Sequence, residues 1–510
     1  MQIPYPTRFS IQHVLIVALL LLFAQLLDGT DPLVAFLASV SLVFSAMAFN
    51  MLDGLGTVSG AFVLFMALPT FFILILIKVF TWEPTNRHFD QPLRTMAATA
   101  LGWLGIMVAA TLSRRFVARR NIVTFTARDL EHLKNTSAGL LMIGLFSQIL
   151  LTNFDTGQNG SVWTALSQLN IFVPMATILG TYYEICISKG QRSFNWVVLV
   201  SILYVAGFGF IAASKQGMYS PFFSYFLVCA ALGYRFRPLQ VILILGWLAF
   251  AAGFLFPWAQ YARGVTRQAT LTQTVEATVN LITDPGTIPA MYHWYAESLR
   301  NNEDVNQVAL CYDHPEGLMD RESLICQDDR LIDLTQRTGP AGPTYLIQGF
   351  EMIIPHFMWP SRVVLSLGNI YGRETNQNSD EDYTTAVAFA PVGDAYREFG
   401  WAGVIVVMPI MYFFTFIFLN GVFGDARDSP WGLVLVAYAG FAAPGLLLPV
   451  HPQLWGHFVP IILFVMWITR YVAPQVAVAF GFRKIRARVV IPGTDLVPKA
   501  RKVQSASLRS

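Results

Sequence analysis

Twelve apolar runs, of which the fifth and eighth are short and must extend or tilt to cross a bilayer, divide this chain of 510 residues and leave few folds open to it. They fall at 11–27, 32–50, 57–80, 95–112, 138–152, 163–185, 196–213, 219–233, 239–257, 400–423, 431–448 and 454–473. A helical span takes about 17–25 residues, and inside lipid only a helix or a closed barrel satisfies its own backbone. The runs show no alternation of apolar and polar residues, which argues against a barrel. Charged residues make up 13% of the chain, against about 25% in soluble domains. The expected fold is an all-α polytopic membrane protein with about twelve transmembrane helices. The run near 14–27 follows only Arg8 and precedes no small-x-small pattern, so it is expected to be an anchor and not a removable leader.

Basic residues set the expected orientation. Arg114, Arg115, Arg119, Arg120, Arg128 and Lys134 follow the fourth run, Lys189 and Arg192 the sixth, and Arg235 and Arg237 the eighth. The segments 28–31, 153–161 and 449–453 are free of Lys and Arg. Both termini are therefore expected in the cytoplasm. The chain divides into helices one to nine (1–257), a large external loop (258–399), helices ten to twelve (400–473) and a basic cytoplasmic tail (474–510).

The external loop is too long for a plain connection and should be partly helical, with amphipathic stretches near 272–282 and 288–299. "TGPAGP" at 338–343 breaks it, and "ETNQNSDEDYTT" at 374–385 reads as a mobile loop. Cys311 and Cys326 both fall in this loop, where an oxidising exterior favours a disulfide; two free thiols are the alternative. There is no Walker A loop, HExxH or paired CxxC, so no metal and no cofactor is expected. Nothing suggests nucleic acid. "DED" at 380–382 matches a metal and nucleotide-sugar motif, but an acidic solvated loop fits it better.

Four stretches carry chemistry. In "ASKQGMYSP" (213–221), Lys215 sits at a tight outer turn; it either snorkels to the interface or holds an anionic headgroup. In "YARGVTR" (261–267), Arg263 and Arg267 share a helix face; they are flanking charges or a fork for phosphoryl oxygens. "EMIIPHFMWPSR" (351–362) reads as an interfacial segment with His356 and Arg362 as polar handles. In "VGDAYREFGWAGVIVVMP" (392–409), Asp394, Arg397 and Glu398 lie at i, i+3 and i+4 at the head of the tenth span. Arg397 either pairs with one of these acids or binds an anionic leaving group while an acid accepts a proton.

Taken together, the layout and three of these stretches resemble the bacterial oligosaccharide repeat-unit polymerases of the O-antigen polymerase and ligase superfamily. "SKQG" is similar to the family's small basic turn, "IPHFMWPSR" to its proline–basic–Trp-Pro–basic segment, and "VGDAYREFGWAGV" to its acidic opening of a late span. The family more often has Arg at Lys215, Arg at His356 and Lys at Arg362. The resemblance implies a metal-independent glycosyltransferase of the bacterial inner membrane. It would join undecaprenyl-pyrophosphate-linked oligosaccharides on the periplasmic face, with a chain-length regulator or a flippase as protein partner. Lys215, Arg263, Arg267 and Arg362 would face the pyrophosphate, with His356 beside them. Glu398 or Asp394 would act as base. A ligase of the same superfamily, a secondary transporter or lipid-linked sugar flippase, and a non-catalytic envelope scaffold are the competing readings.

Overall fold

The computed structural model describes residues 1–116, 125, 127–153, 168–266, 271–300, 311–312, 323–354, 359, 361–363, 365–383 and 385–482. Among these the chain is helical, with one isolated bridge between Gln2 and Arg235. Six helices are long and apolar enough to cross a membrane: Pro32–Gly56, Val58–Thr81, Pro92–Phe116, Leu169–Ile187, Pro238–Ala259 and Gly403–Asp428. Ile11–Leu27, Trp196–Ile211 and Pro430–Gly445 are shorter apolar helices. This is a multi-pass membrane protein.

The elements used below are α1 (Ile11–Leu27), α2 (Pro32–Met51), α3 (Val58–Thr81), α4 (Pro92–Phe116), α5 (Ala127–Asn153), α6 (Phe172–Ile187), α7 (Trp196–Ile211) and α8 (Lys215–Ala231). Next come α9 (Pro238–Phe250), α10 (Phe256–Thr266), α11 (Leu271–Thr283) and α12 (Thr287–Arg300). Then follow α13 (Ile325–Thr338), α14 (Thr344–Glu351), α15 (Leu367–Glu374) and α16 (Pro391–Phe399). The last are α17 (Met408–Phe423), α18 (Pro430–Ala442), α19 (Val450–Trp467) and α20 (Ala473–Ala479).

Local chemistry explains where the helices start. Pro32, Pro238, Pro391 and Pro430 take the first helical turn, where the missing N–H costs nothing. Asp31, Thr57, Asn195 and Ser214 cap their helices through side-chain oxygens. Interior prolines have a different effect. The π turns Leu68–Phe72, Ala251–Leu255, Gly403–Val407 and Ile468–Val472 each contain a proline or precede one by two residues, at Pro69, Pro257, Pro409 and Pro474. A proline deletes one ladder hydrogen bond, and the wider turn absorbs the clash. The ninth run therefore does not stop at 257; helical structure continues through its π turn to Thr266.

The loop region is partly helical in α11 to α15, and Gly339, at φ 81°, ends α13 within "TGPAGP". The stretch 374–385 does not hang free. Asn369 donates to the carbonyls of Asp382 and Thr385 at 2.7 and 2.8 Å, and Asn378 donates to the Thr385 carbonyl at 2.7 Å. Cys311 and Cys326 are disulfide-bonded, with Cα atoms 5.8 Å apart, and both are buried.

Candidate functional site

The stretch 392–409 is not one helix, which corrects the expectation of a single span starting near 392. Gly400 stands at φ 60° and ends α16. A Cβ on Gly403 would overlap the Ala395 carbonyl oxygen, and both Val392 and Met408 crowd Gly102, near the middle of α4. So α16 folds back along the start of the next helix, with its N-terminus deepest in the bundle. Only glycine tolerates that backbone at 400.

Helix α13 clamps this arrangement. Asp328 accepts the backbone N–H groups of Ala390 and Gly393 at 2.8 and 3.2 Å, capping α16 from another element. Its neighbour Asp329 accepts the N–H groups of Asp90 and Gln91 at 2.5 and 3.0 Å and the Thr95 hydroxyl at 2.6 Å, capping α4. The Leu324 amide donates to the Pro69 carbonyl at 2.8 Å, midway along α3. Both aspartates are 1% exposed. Burial raises both carboxyls, Asp329 to about 6, and the donated hydrogen bonds oppose the rise.

Within this frame Asp394 and Glu398 lie one helical turn apart, both fully buried. Asp394 accepts the Leu448 amide at 2.7 Å and the Tyr371 hydroxyl at 2.8 Å. Burial raises its carboxyl, and those two donors hold the rise back. Neither carboxyl oxygen of Glu398 accepts a hydrogen bond of ordinary geometry among the described residues, although the Leu346 amide is close enough to act on it. Burial, then the Asp394 charge, push it well above the usual carboxylate range, and the Leu346 amide offsets little of this. Burial thus raises both carboxyls, and Asp394 has two donors that oppose the rise. Burial and the Asp394 charge also raise Tyr371.

Arg397 pairs with neither of these acids. Its Nε donates to Glu374 Oε2 at 3.0 Å, and its Nη1 donates to the Gly339 carbonyl at 2.8 Å and to Thr338 Oγ1 at 3.2 Å. Tyr345 donates to the other Glu374 oxygen at 3.0 Å; its own hydroxyl is pushed up to about 12 by burial and by Glu374.

Of the basic residues expected at a pyrophosphate site, the side chains of Lys215 and Arg362 are described. Lys215 is the first residue of α8, and its Nζ lies 5.7 Å from the centre of the Phe256 ring. Gly217 meets Gly209 so closely that a Cβ on either would clash, which packs α7 against α8. Arg263 lies on α10, the helix that brings Trp258 and Ala262 to a small core with Ala213 and Met291. The acid cluster packs on a separate core that includes Leu331, Tyr371, Phe389 and Leu447. Arg362 is half-buried, and its Nε and Nη1 are shielded from solvent with no hydrogen-bond partner among the described residues. Arg267, His356 and the Arg263 side chain lie outside the described residues. Among the described residues no three His, Cys, Asp or Glu side chains gather as metal ligands.

Sequence reasoning missed Asp328, Asp329, Tyr371 and Glu374. One signal was present: Ile325, Asp328, Ile332 and Thr335 share a helix face, so the acid repeats in step with apolar residues. No family model, no curated protein and no solved structure matches this chain.

Proposed function

We propose that this protein is a membrane glycosyltransferase that polymerises undecaprenyl-pyrophosphate-linked oligosaccharide repeat units at the outer face of the bacterial inner membrane. The proposal includes twelve spans, both termini in the cytoplasm, and the 258–399 segment outside. The observation that carries it is the buried Asp394–Glu398 pair, two carboxyls one helical turn apart while the intervening Arg397 turns away to Glu374. In this reading the acceptor hydroxyl attacks the anomeric carbon of the donor glycan. The bond from that carbon to the pyrophosphate breaks, and the pyrophosphate leaves with the electron pair. The hydroxyl proton passes to the carboxyl pair. Glu398 accepts that proton in its ionised form, a minor fraction at neutral pH because burial and the Asp394 charge raise its carboxyl and with it its basicity. Arg397, committed to Glu374, positions α16. Arg362 supports the reading, because a shielded guanidinium without a partner among the described residues suits an anionic group. Lys215, Arg263, Arg267 and His356 complete the proposed anion site.

A ligase of the same superfamily would use the same groups. A secondary transporter or lipid-linked sugar flippase is favoured by one observation, the full burial of two acids in a bundle of apolar helices. Gel electrophoresis of surface polysaccharide from a deletion strain separates these readings. A product of one repeat unit supports the polymerase. Full-length chains left on the lipid carrier point to the ligase. Loss of every external repeat points to the flippase.

A further inference from the structure

Helix α1 is pinned to the bundle just before its start and again from Ala18 onward, and stands off it between them. Its buried residues are Ala18, Leu21 and Gln25, and Gln25 accepts the Thr85 hydroxyl at 3.0 Å. Just before the helix, Phe9 stacks on Phe49 with ring centres 4.7 Å apart. The Phe9 amide donates to Asn50 Oδ1 at 2.7 Å, and Asn50 Nδ2 returns a bond to the Phe9 carbonyl at 2.8 Å. Between the pins lies a cavity of about 520 Å³, within the usual range of about 300–1,000 Å³ for ligand sites. Val14, Val17, Ala46, Val63, Ala67 and Phe71 line its body, and Arg8, Ser10 and His13 line the end where α1 begins.

The walls and the mouth differ in chemistry. An apolar slot of this kind excludes water and accepts hydrocarbon. At the mouth, Arg8 and Arg114 share one carboxylate, that of Asp53, at 3.0 and 3.9 Å. The two arginines and Asp53 are about half exposed, and an ion pair of that kind contributes little and exchanges readily. One positive charge is in surplus, with His13 beside it. Helix α1 adds to this, since Ser10 makes no side-chain cap and no acid stands in the first turn. Its first N–H groups and the positive end of its dipole therefore face the same mouth.

We propose that this cavity binds one acyl chain of an anionic glycerophospholipid, with the lipid phosphate held at Arg8 and His13. The site is distinct from the one proposed for the lipid-linked glycan and does not depend on that reading. The test is native mass spectrometry of the delipidated full-length protein, mixed with phosphatidylglycerol or with phosphatidylcholine of the same chains. The wild type should retain one phosphatidylglycerol with roughly tenfold preference, a gap of about 1.4 kcal/mol. Ala46→Leu and Ala67→Leu, which fill the slot, should each lose the retained lipid. Arg8→Gln and His13→Gln should erase the preference. Equal retention of the two lipids by the wild type, or undiminished phosphatidylglycerol in both filled variants, overturns the proposal. The wild-type comparison needs no variant, so a variant that fails to fold leaves the test decisive.

Discussion

Arg397 Nε donates to Glu374 Oε2 at 3.0 Å, although Glu398 is its next residue in the chain and Asp394 lies three residues before it. The pair joins α15 to α16, and both side chains are largely buried. Removing either partner leaves the other charge without compensation. Glu374→Gln and Arg397→Gln should each lower stability by about 1–3 kcal/mol. The double variant should lose less than the sum of the two. Thermal unfolding of the four proteins in detergent checks this cycle. Additive losses would mean that the pair does not hold α16.

Glu398→Gln and Asp394→Asn should separate fold from function. The raised Glu398 carboxyl is neutral near pH 7, so a glutamine amide replaces it with little strain. Glu398→Gln should melt within about 0.5 kcal/mol of the wild type and yet make no polymer. Asp394 accepts from both the Leu448 amide and the Tyr371 hydroxyl. Asparagine presents one of those donors with another donor, so Asp394→Asn should cost about 1–3 kcal/mol. Wild-type chain lengths from a folded Glu398→Gln protein would remove this residue from the mechanism.

Asp329 gives a pH dependence whose sign is fixed. Its carboxyl is raised to about 6 in the folded protein, against about 3.9 when unfolded. Between those values the native state holds the extra proton, so stability falls as pH rises from about 4 to about 6. The single-site contribution is about 3 kcal/mol, because each pH unit is worth about 1.4 kcal/mol. Asp329→Asn should flatten that part of the profile. Asp328 is raised as well and adds its own slope. Melting temperatures of wild type and Asp329→Asn from pH 4 to pH 7 check it. A parallel slope in both would assign the dependence to other groups.

The apolar runs and the proline-started helices were legible because they follow from local chemistry. Pro391 and Gly400 bracket α16 in the sequence, yet a glycine inside a helical pattern does not by itself dictate a reversal. What sets the reversal is the close packing of Gly403 on Ala395 and of Val392 on Gly102, which is tertiary. Carboxylates are usually solvated, and apart from the helical step of Asp328 with Ile325, Ile332 and Thr335 nothing beside Asp328 and Asp329 in the sequence marks them as buried. They are buried because two helix N-termini, at residues 90–91 and 390–393, offer them backbone donors. Those donors come from distant parts of the chain and leave no mark beside the aspartates. The Arg397–Glu374 pair was hidden in the same way, behind two nearer acids.

The Cys311–Cys326 bond should resist reduction in the folded protein, because both residues are buried. It closes a loop of 15 residues, which corresponds to about 3 kcal/mol in the chain-entropy account. Mass mapping without reduction should find the two half-cystines joined. Alkylation after mild reductant should stay low until denaturant is added, while the exposed control peptides remain intact. Rapid labelling of both thiols in native protein would refute this.

Gly403→Ala should be among the more damaging conservative changes in the protein, and Gly421→Ala among the mildest. Both glycines lie in the helical segment that follows the reversal at Gly400. A Cβ at Gly403 overlaps the Ala395 carbonyl oxygen and approaches Phe399 Cβ at 3.1 Å, whereas a Cβ at Gly421 meets nothing within 4 Å. Backbone cannot swing aside as a flexible side chain can, so the clash must push α16 away from its neighbour. That movement would also strain the Asp328 cap and the Asp394 bonds to Leu448 and Tyr371. Overpacking of this kind costs about 1–3 kcal/mol, and the coupled hydrogen bonds set the loss at the upper end. Gly421→Ala should be neutral or slightly stabilising, since alanine is the better helix former by about 1 kcal/mol. Thermal unfolding of the two variants, with polymer length measured on the same strains, tests the reversal at Gly400 directly. Equal melting temperatures for both would mean that α16 continues straight into the following helix.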